Sequence, residues 1–425
     1  MSDFHRREQK GGGAAVDINV AQTQRGRAMQ NLAQPVNSSP LRRGATRKGA
    51  VIVLVAVLLV VLLGCVALAV DIGYLYVARA ELQRTADAAA LAGVQALGRD
   101  SETPFGEYLS ANDIYTQAET YAELNKVLRQ GIVLDRDTDI VIGYLANPRN
   151  LSATLQIVPL DQCNAVLVIA RRTSSSSGGE IPLFFAPMWG INSSAVSASA
   201  IAVLDDRFYA YRGGNAVPFT LHMDTWDDEI IQGNGADDYG YDKYTGSIIW
   251  SPDGVPEAKL FPNKEGPSNN GSGNDGAGNF GILHIGPGSN GVPRLIEQIR
   301  NGISQDDFVD MTGEPMVKFY DYDSGDEVIY LINGNPGIKA GLKDAMEEKV
   351  GQVVGIFLHN SVSGTGSNAV FTVVAMRFGR VMDVDLTGND KAIMIQPVPY
   401  YGPGILTSPN APSTDRLIGS LELVR

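Results

Sequence analysis

The 425-residue chain carries 44% apolar and 19% charged residues, with 47 Gly and 21 Pro, a balance that excludes a coiled coil, a small disulfide scaffold and a wholly disordered chain. Its length accommodates two or three units with cores of their own. The net charge of −13 divides unevenly: residues 1–49 hold nine Lys/Arg against three acids, and residues 71–425 hold 25 bases against 44 acids, so the larger part repels nucleic acid and anionic head groups and no nucleic-acid partner is expected.

Residues 1–40 are rich in Gly, Ala, Gln, Asn and Ser without an apolar period, and with the basic residues that follow they read as a disordered cytoplasmic tail, 1–49. Residues 50–70, AVIVLVAVLLVVLLGCVALAV, contain no charge and 15 Leu, Ile or Val. A helix of that length covers about 30 Å, the hydrocarbon thickness of a bilayer, and the composition favours insertion by about 4–9 kcal/mol. Arg42, Arg43, Arg47 and Lys48 precede the run and Asp71 follows it. The positive-inside rule then keeps the N-terminus in the cytoplasm and sends the acidic remainder outside. The competing reading is a signal peptide cleaved after Ala69, at Ala67-Leu68-Ala69; the long leader, the length of the apolar run and a helical period that continues past the site speak against it.

From 71 to 97 there is no proline, and Leu75, Leu82, Ala86, Ala89, Gly93 and Leu97 form a helical stripe with Gly98 as the expected C-cap. Together with the apolar run this predicts one helix of about 72 Å, whose outer half is crowded with small residues that admit close packing. Residues 112–128 repeat the helical period through Ile114, Ala118, Tyr121, Leu124 and Val127. Strand-like runs follow at 132–145, 152–160, 165–172, 181–189 and 195–204. A long helix and a short one on an antiparallel sheet define an α+β exported domain over 71–205. Beyond it, Gly, Asn, Asp and Pro with short β-branched runs predict a β-rich domain over 206–425, with helices at 293–303 and 337–350 and a Gly/Asn-rich loop at 263–281. Cys65 falls in the apolar run and Cys163 in the exported part, so the two cannot pair within one chain; Cys163 is either buried or open to an intermolecular bond.

At the apolar run the residues also resemble a known family. Gly49 precedes the run, Asp71 and Gly73 close it, Leu82-Gln83 follow, and then comes Asp87-Ala88-Ala89-Ala90-Leu91-Ala92; this order resembles the N-terminal segment of TadG-like proteins of the Tad (Flp) pilus system. A weaker likeness continues through Asn164-Ala165-Val166 and PLFFAPMWG to SAVSASAIAVL, covering residues 45–205. The resemblance implies a pilin-like head over 71–205 and a single-pass protein of the cytoplasmic (inner) membrane whose exported part takes part in assembling or anchoring a pilus. It implies membrane lipid and other pilus-assembly membrane proteins as partners, leaves homo- or hetero-oligomers open, and implies no chemistry. The D-x-S-x-S start of a von Willebrand A metal site, frequent in relatives, does not occur. Prepilin processing requires Glu five residues into the mature helix, and counted from Gly49 that position is Leu54, so the chain is expected to remain a permanent membrane protein.

Other patterns invite a chemical reading. Gly271, Gly273 and Gly276 satisfy a dinucleotide-binding spacing but follow no strand and open no helix, so the tract reads as a loop. Asp224, Asp227, Asp228, Asp237 and Asp238, with Glu229 and Asp242, could offer hard oxygen ligands to Ca²⁺. Trp226, Tyr239, Tyr241 and Tyr244 beside them suit a sugar face. These residues define the rival reading, a membrane-tethered binding module for polysaccharide or calcium. Asp321-x-Asp323-x-Gly325-Asp326 starts like a calcium loop but lacks Gly at position six and Glu at position twelve. His222, His284 and His359 lie at no zinc-ligand spacing, and Ser361 and Ser363 occupy a Gly/Ser turn rather than a nucleophile elbow. No catalytic or cofactor-binding residue is nominated, and a non-enzymatic protein is expected.

Overall fold

The computed structural model describes residues 48–98, 110–150, 153–260, 280–288, 291–335, 339–364, 368–387 and 391–424, and the chain divides into two compact units, Met1–Val60 and Val61–Arg425. The basic tail up to residue 47 and most of the Gly/Asn-rich loop, with Gly271, Gly273 and Gly276, lie outside the described residues.

One unbroken helix runs over Lys48–Gln95. No proline interrupts it, and its Ala and Leu content offsets the weaker helix preference of its many valines. From 51 to 70 its side chains are exposed all round, apart from half-buried Gly64 and Ala67. From Asp71 onward it buries one face, with Leu82, Ala86, Ala89, Ala90 and Val94 fully inside. Gly98 is not the cap it was expected to be: the helix stops three residues earlier, and the position instead admits the Tyr401 ring, from which a Cβ would lie 2.6 Å.

The second helix, Ala111–Leu124, opens on a Ser110/Asp113 capping box. It buries Ile114, Ala118 and Ala122, the i, i+4, i+8 row, so Tyr121 and Leu124 point to solvent rather than inward as expected. Both helices lie on a four-stranded antiparallel sheet ordered Ile140–Gly143, Ala165–Arg172, Val196–Asp205 and Ser420–Leu423. In VSASAIAVLD the period of two puts Ala198, Ala200 and Ala202 into the helix-facing core and leaves Ser197 and Ser199 outside. The expected strand at 132–145 contracts to Ile140–Gly143, and 152–160 contributes one bridge, Gln156 with Tyr144. The run 181–189 pairs only over Ile181–Pro182, with Ser193–Ser194, because Pro182 and Pro187 lack the donors a ladder needs.

Beyond residue 205 a seven-stranded sheet closes five of its strands into a small barrel. Val353–Ser363 pairs in parallel with Ala216–His222 and antiparallel with Ala369–Asp385. The ring continues through Tyr330–Asn335 and Phe280–Leu283 back to Ala216–His222. Phe371 packs where Gly281 and Gly334 leave space, since a Cβ there would lie 2.2 or 2.6 Å from its ring. The predicted helix at 293–303 is Val292–Asn301, whereas 337–350 contracts to a 3-10 turn, Ala340–Leu342, and one short helix, Lys343–Glu347. Their apolar side chains share a core with Phe219, Ile356 and Leu358. The last strand crosses back: Ser420–Leu423 pairs with Val196–Asp205 from Ser420↔Asp205 to Leu423↔Ala202, so the C-terminal residues complete the sheet of the helical head.

Candidate functional site: the junction of helix and head

The first charged side chain after the apolar run is Asp71, and it is buried. Its carboxylate accepts three successive backbone N–H groups: Phe184 at 2.9 Å, Phe185 at 3.0 Å and Ala186 at 2.7 Å. These are the donors that open the 3-10 turn Ala186–Trp189 and have no partner within it. A carboxylate set against them makes charge-assisted bonds and fixes the turn. Gly190, at φ +81°, then reverses the chain, a conformation that favours glycine. One helical turn past Asp71, Tyr74 meets Phe184 edge to face at 5.0 Å. The hairpin loop 183–191 is thus tied to the helix at the residue where the apolar run ends.

The other residues singled out from the helix have distinct placements. Gly49 lies in its first turn. Gly73 has open space where a Cβ would be, so nothing within this chain requires glycine there. Leu82 and Ala90 are core, and Leu91 packs at the core's edge. Gln83 donates to Asp87 at 2.8 Å and to the Ser199 carbonyl at 3.0 Å, joining helix to sheet. Gly93 admits Val166, whose Cγ1 would lie 3.1 Å from a Cβ, and it also faces Ala118. Higher up, the Thr85 hydroxyl is shared between the carbonyls of Glu81 and Asn125, and Glu81 accepts the Leu128 N–H at 2.7 Å. That bond holds a turn in which Leu128 and Arg129 both have positive φ.

Sequence reasoning missed Arg416. Its buried guanidinium donates to the carbonyls of Leu97 at 3.1 Å, Leu160 at 3.3 Å, Asp161 at 2.8 Å and Cys163 at 2.5 Å. It binds the end of the long helix, 319 residues away in sequence, to the 3-10 turn Leu160–Gln162 that leads into the strand Ala165–Arg172, and no local pattern marks it. Cys163 is buried, and burial pushes its thiol above the usual range, which makes it a packing residue.

The acidic and aromatic residues of the rival reading do not converge. Among the described residues no three His, Cys, Asp or Glu side chains gather as a cation site. Asp224 and Asp238 are exposed, Asp228 accepts from Asn234 at 2.8 Å, and Asp237 accepts the backbone N–H groups of Asp253 and Gly254, each at 3.0 Å. Asp227 lies on the exposed side of a single π-helical turn, Asp227–Ile231. Buried Glu257 accepts the N–H groups of Asp238 and Tyr239, so much of the acidity serves to hold loops. Trp226 and Tyr239 are core residues, Tyr241 stacks under Arg380, and Tyr244 alone of the four stands in solvent. Asp321 caps its own turn through the N–H groups of Asp323 and Ser324. His359 is buried in the barrel wall, bonded to Thr220 at 2.9 Å. In the cleft of roughly 360 Å³ beside Val292–Asn301, Arg294 pairs with Glu297 and Asp307, and Asp307 also closes the capping box of Gln305–Thr312.

Fold and junction together define a class: a single apolar helix that continues unbroken into the core of an α+β head. Residues 49–96 match the family model Tad, described as Flp pilus-assembly TadE/G-like. Residues 80–202 match Tad_C, described as Tad-like Flp pilus-assembly. Over residues 49–202 the chain is therefore similar to the Tad (Flp) pilus-assembly families. The two matches overlap on the buried half of the helix. No curated protein and no solved structure matches the chain.

Proposed function

We propose that the chain is a non-enzymatic, bitopic component of a Tad/Flp-type pilus assembly, with its tail in the cytoplasm and its head and β-rich region outside the cytoplasmic membrane. The observation that carries the reading is the change of environment at Asp71 along one continuous helix. Residues 51–70 are apolar and bare, as a lipid-facing segment must be, and residues 71–97 pack as a protein core. The basic residues before the run and the acidic surplus after it support the orientation. The use of acids as loop caps and of Arg294 in a paired network supports a structural role. In this reading the helix is both anchor and packing spine, and the pilus-assembly membrane proteins are its partners.

The test is genetic. A strain lacking the chain is expected to lose Flp fibres in electron micrographs, and the full chain should restore them. A version whose residues 1–70 are exchanged for a cleavable signal peptide should not. Fibres restored by that soluble version would overturn the anchoring role.

A further inference from the structure

We propose that the hairpin loop 183–191 is a second, interfacial membrane anchor, lying among the lipid head groups where the helix leaves the bilayer. This rests on reading residues 51–70 as a membrane span. The loop's position is set by Asp71, which closes the apolar run and holds the backbone of Phe184, Phe185 and Ala186 within hydrogen-bond distance.

Its composition fits that depth. Residues 181–204 contain no charged side chain. At the loop tip Phe184 is 63% exposed, Met188 80%, Trp189 63% and Ile191 56%, and on the adjoining helix Tyr76 is 72% exposed. Single exposed apolar residues are ordinary, but four large ones within eight residues of one uncharged loop mark a surface that water does not cover. Leu63, Val66, Leu68 and Val70, within the last two and a half turns before Asp71, are exposed as well, so the loop is tied to the helix at the very end of the exposed apolar run. That attachment at the end of the span selects lipid over a partner protein. Trp, Phe and Tyr at the end of a span are the residues that favour the head-group layer, where an apolar ring and a polar edge are both satisfied. The turn is already fixed by Asp71, Pro187 and Gly190, so little conformational freedom is lost on insertion.

The experiment uses the full chain carrying Trp250→Phe, which leaves Trp189 and buried Trp226 as its tryptophans, reconstituted into phosphatidylcholine vesicles with bromines at defined acyl-chain depths. Retention of the chain after alkaline carbonate washing reads the span by itself. The expected result is loss of more than half of the Trp189 emission to bromines close to the head groups, with weaker quenching by deep bromines and by aqueous acrylamide. Adding Trp189→Phe should abolish the lipid-dependent quenching. A retained chain whose Trp189 is not quenched by bromolipid overturns the proposal, either as a loop in water if acrylamide reaches it or as a protein-covered surface if acrylamide does not. Release by carbonate overturns the span reading and the proposal with it.

Discussion

The two halves of the long helix share one backbone geometry and differ in what their side chains can do. Below Asp71 large β-branched and leucine side chains stand out on every side, and none of them meets a protein core. Above it the exposed face carries Arg79 and Arg84, while the buried face, Leu82 and Val94 apart, is stripped down to Ala, Gly and Thr so that the second helix and the sheet can approach. Hydrophobicity alone therefore does not decide burial within the protein. The more apolar half is the bare one, as a segment whose solvent is lipid would be, and the small-residue half is the buried one, because close packing rewards shape.

The sharpest way to break this comparison is a matched pair of truncations. Leu82→Ala should lower the stability of the head by about 2–5 kcal/mol, read as the melting transition of the detergent-solubilised chain. Leu62→Ala, the same change in the bare half, should leave that transition unmoved. Equal effects would mean that the two halves do not differ as described. Next in size, Arg416→Ala removes the donors that four carbonyls share and should cost about 2–4 kcal/mol. Hydrogen exchange should then rise together at Leu97 and along the closing strand Ser420–Leu423; a rise confined to the C-terminal residues would deny that Arg416 joins them to the helix. A glycine pair is the third test. Gly93→Val drives a side chain against Val166 and should destabilise by about 1–3 kcal/mol, while Gly73→Ala, facing open space, should be neutral in the same melting assay.

The smallest effects lie in the β-rich region and depend on pH. Burial, with Asp237 and Asp253 adding to it, pushes the Glu257 carboxyl up to about 7. The folded chain therefore holds a proton that the unfolded chain releases, and stability from this group falls as pH rises from about 4.5 to 7. Burial and the neighbouring His222 drive His359 down to about 3, so its contribution falls in the opposite direction, as pH drops below about 6.5. Between about 4.5 and 6.5 the two oppose each other. In Glu257→Gln the melting temperature should fall more steeply on acidification through that window than in the parent chain, and in His359→Asn it should rise instead. Parallel profiles in the three proteins would contradict both assignments.

The helix, the head sheet and the family resemblance were legible in the sequence because each rests on a period or an order of residues within reach of one another: the uncharged run, the small-residue stripe, the alternation in VSASAIAVLD. What stayed hidden depends on distance or on competition. PLFFAPMW has the composition of a strand, yet its prolines remove ladder donors and Asp71, 113 residues earlier, claims the N–H groups of Phe184, Phe185 and Ala186. Tyr121 and Leu124 belong to a helical stripe by spacing, but Ala118 and Ala122 take the contact because only they allow the helices to close. The barrel and the returning C-terminal strand are non-local pairings that no window reveals, and the acidic cluster disperses because Asp228, Glu229, Asp237 and Asp242 each hold a different loop while Asp224, Asp227 and Asp238 face solvent.

The most direct test of the central claim, that one helix is a lipid-spanning anchor below Asp71 and a protein spine above it, is proteolysis of intact spheroplasts with tags at both ends of the chain. The account predicts that external protease digests the C-terminal part while the N-terminal tag survives on a membrane-bound fragment that includes residues 51–70. Release of an intact exported part beginning at or next to Asp71, with no anchored fragment left behind, would contradict it.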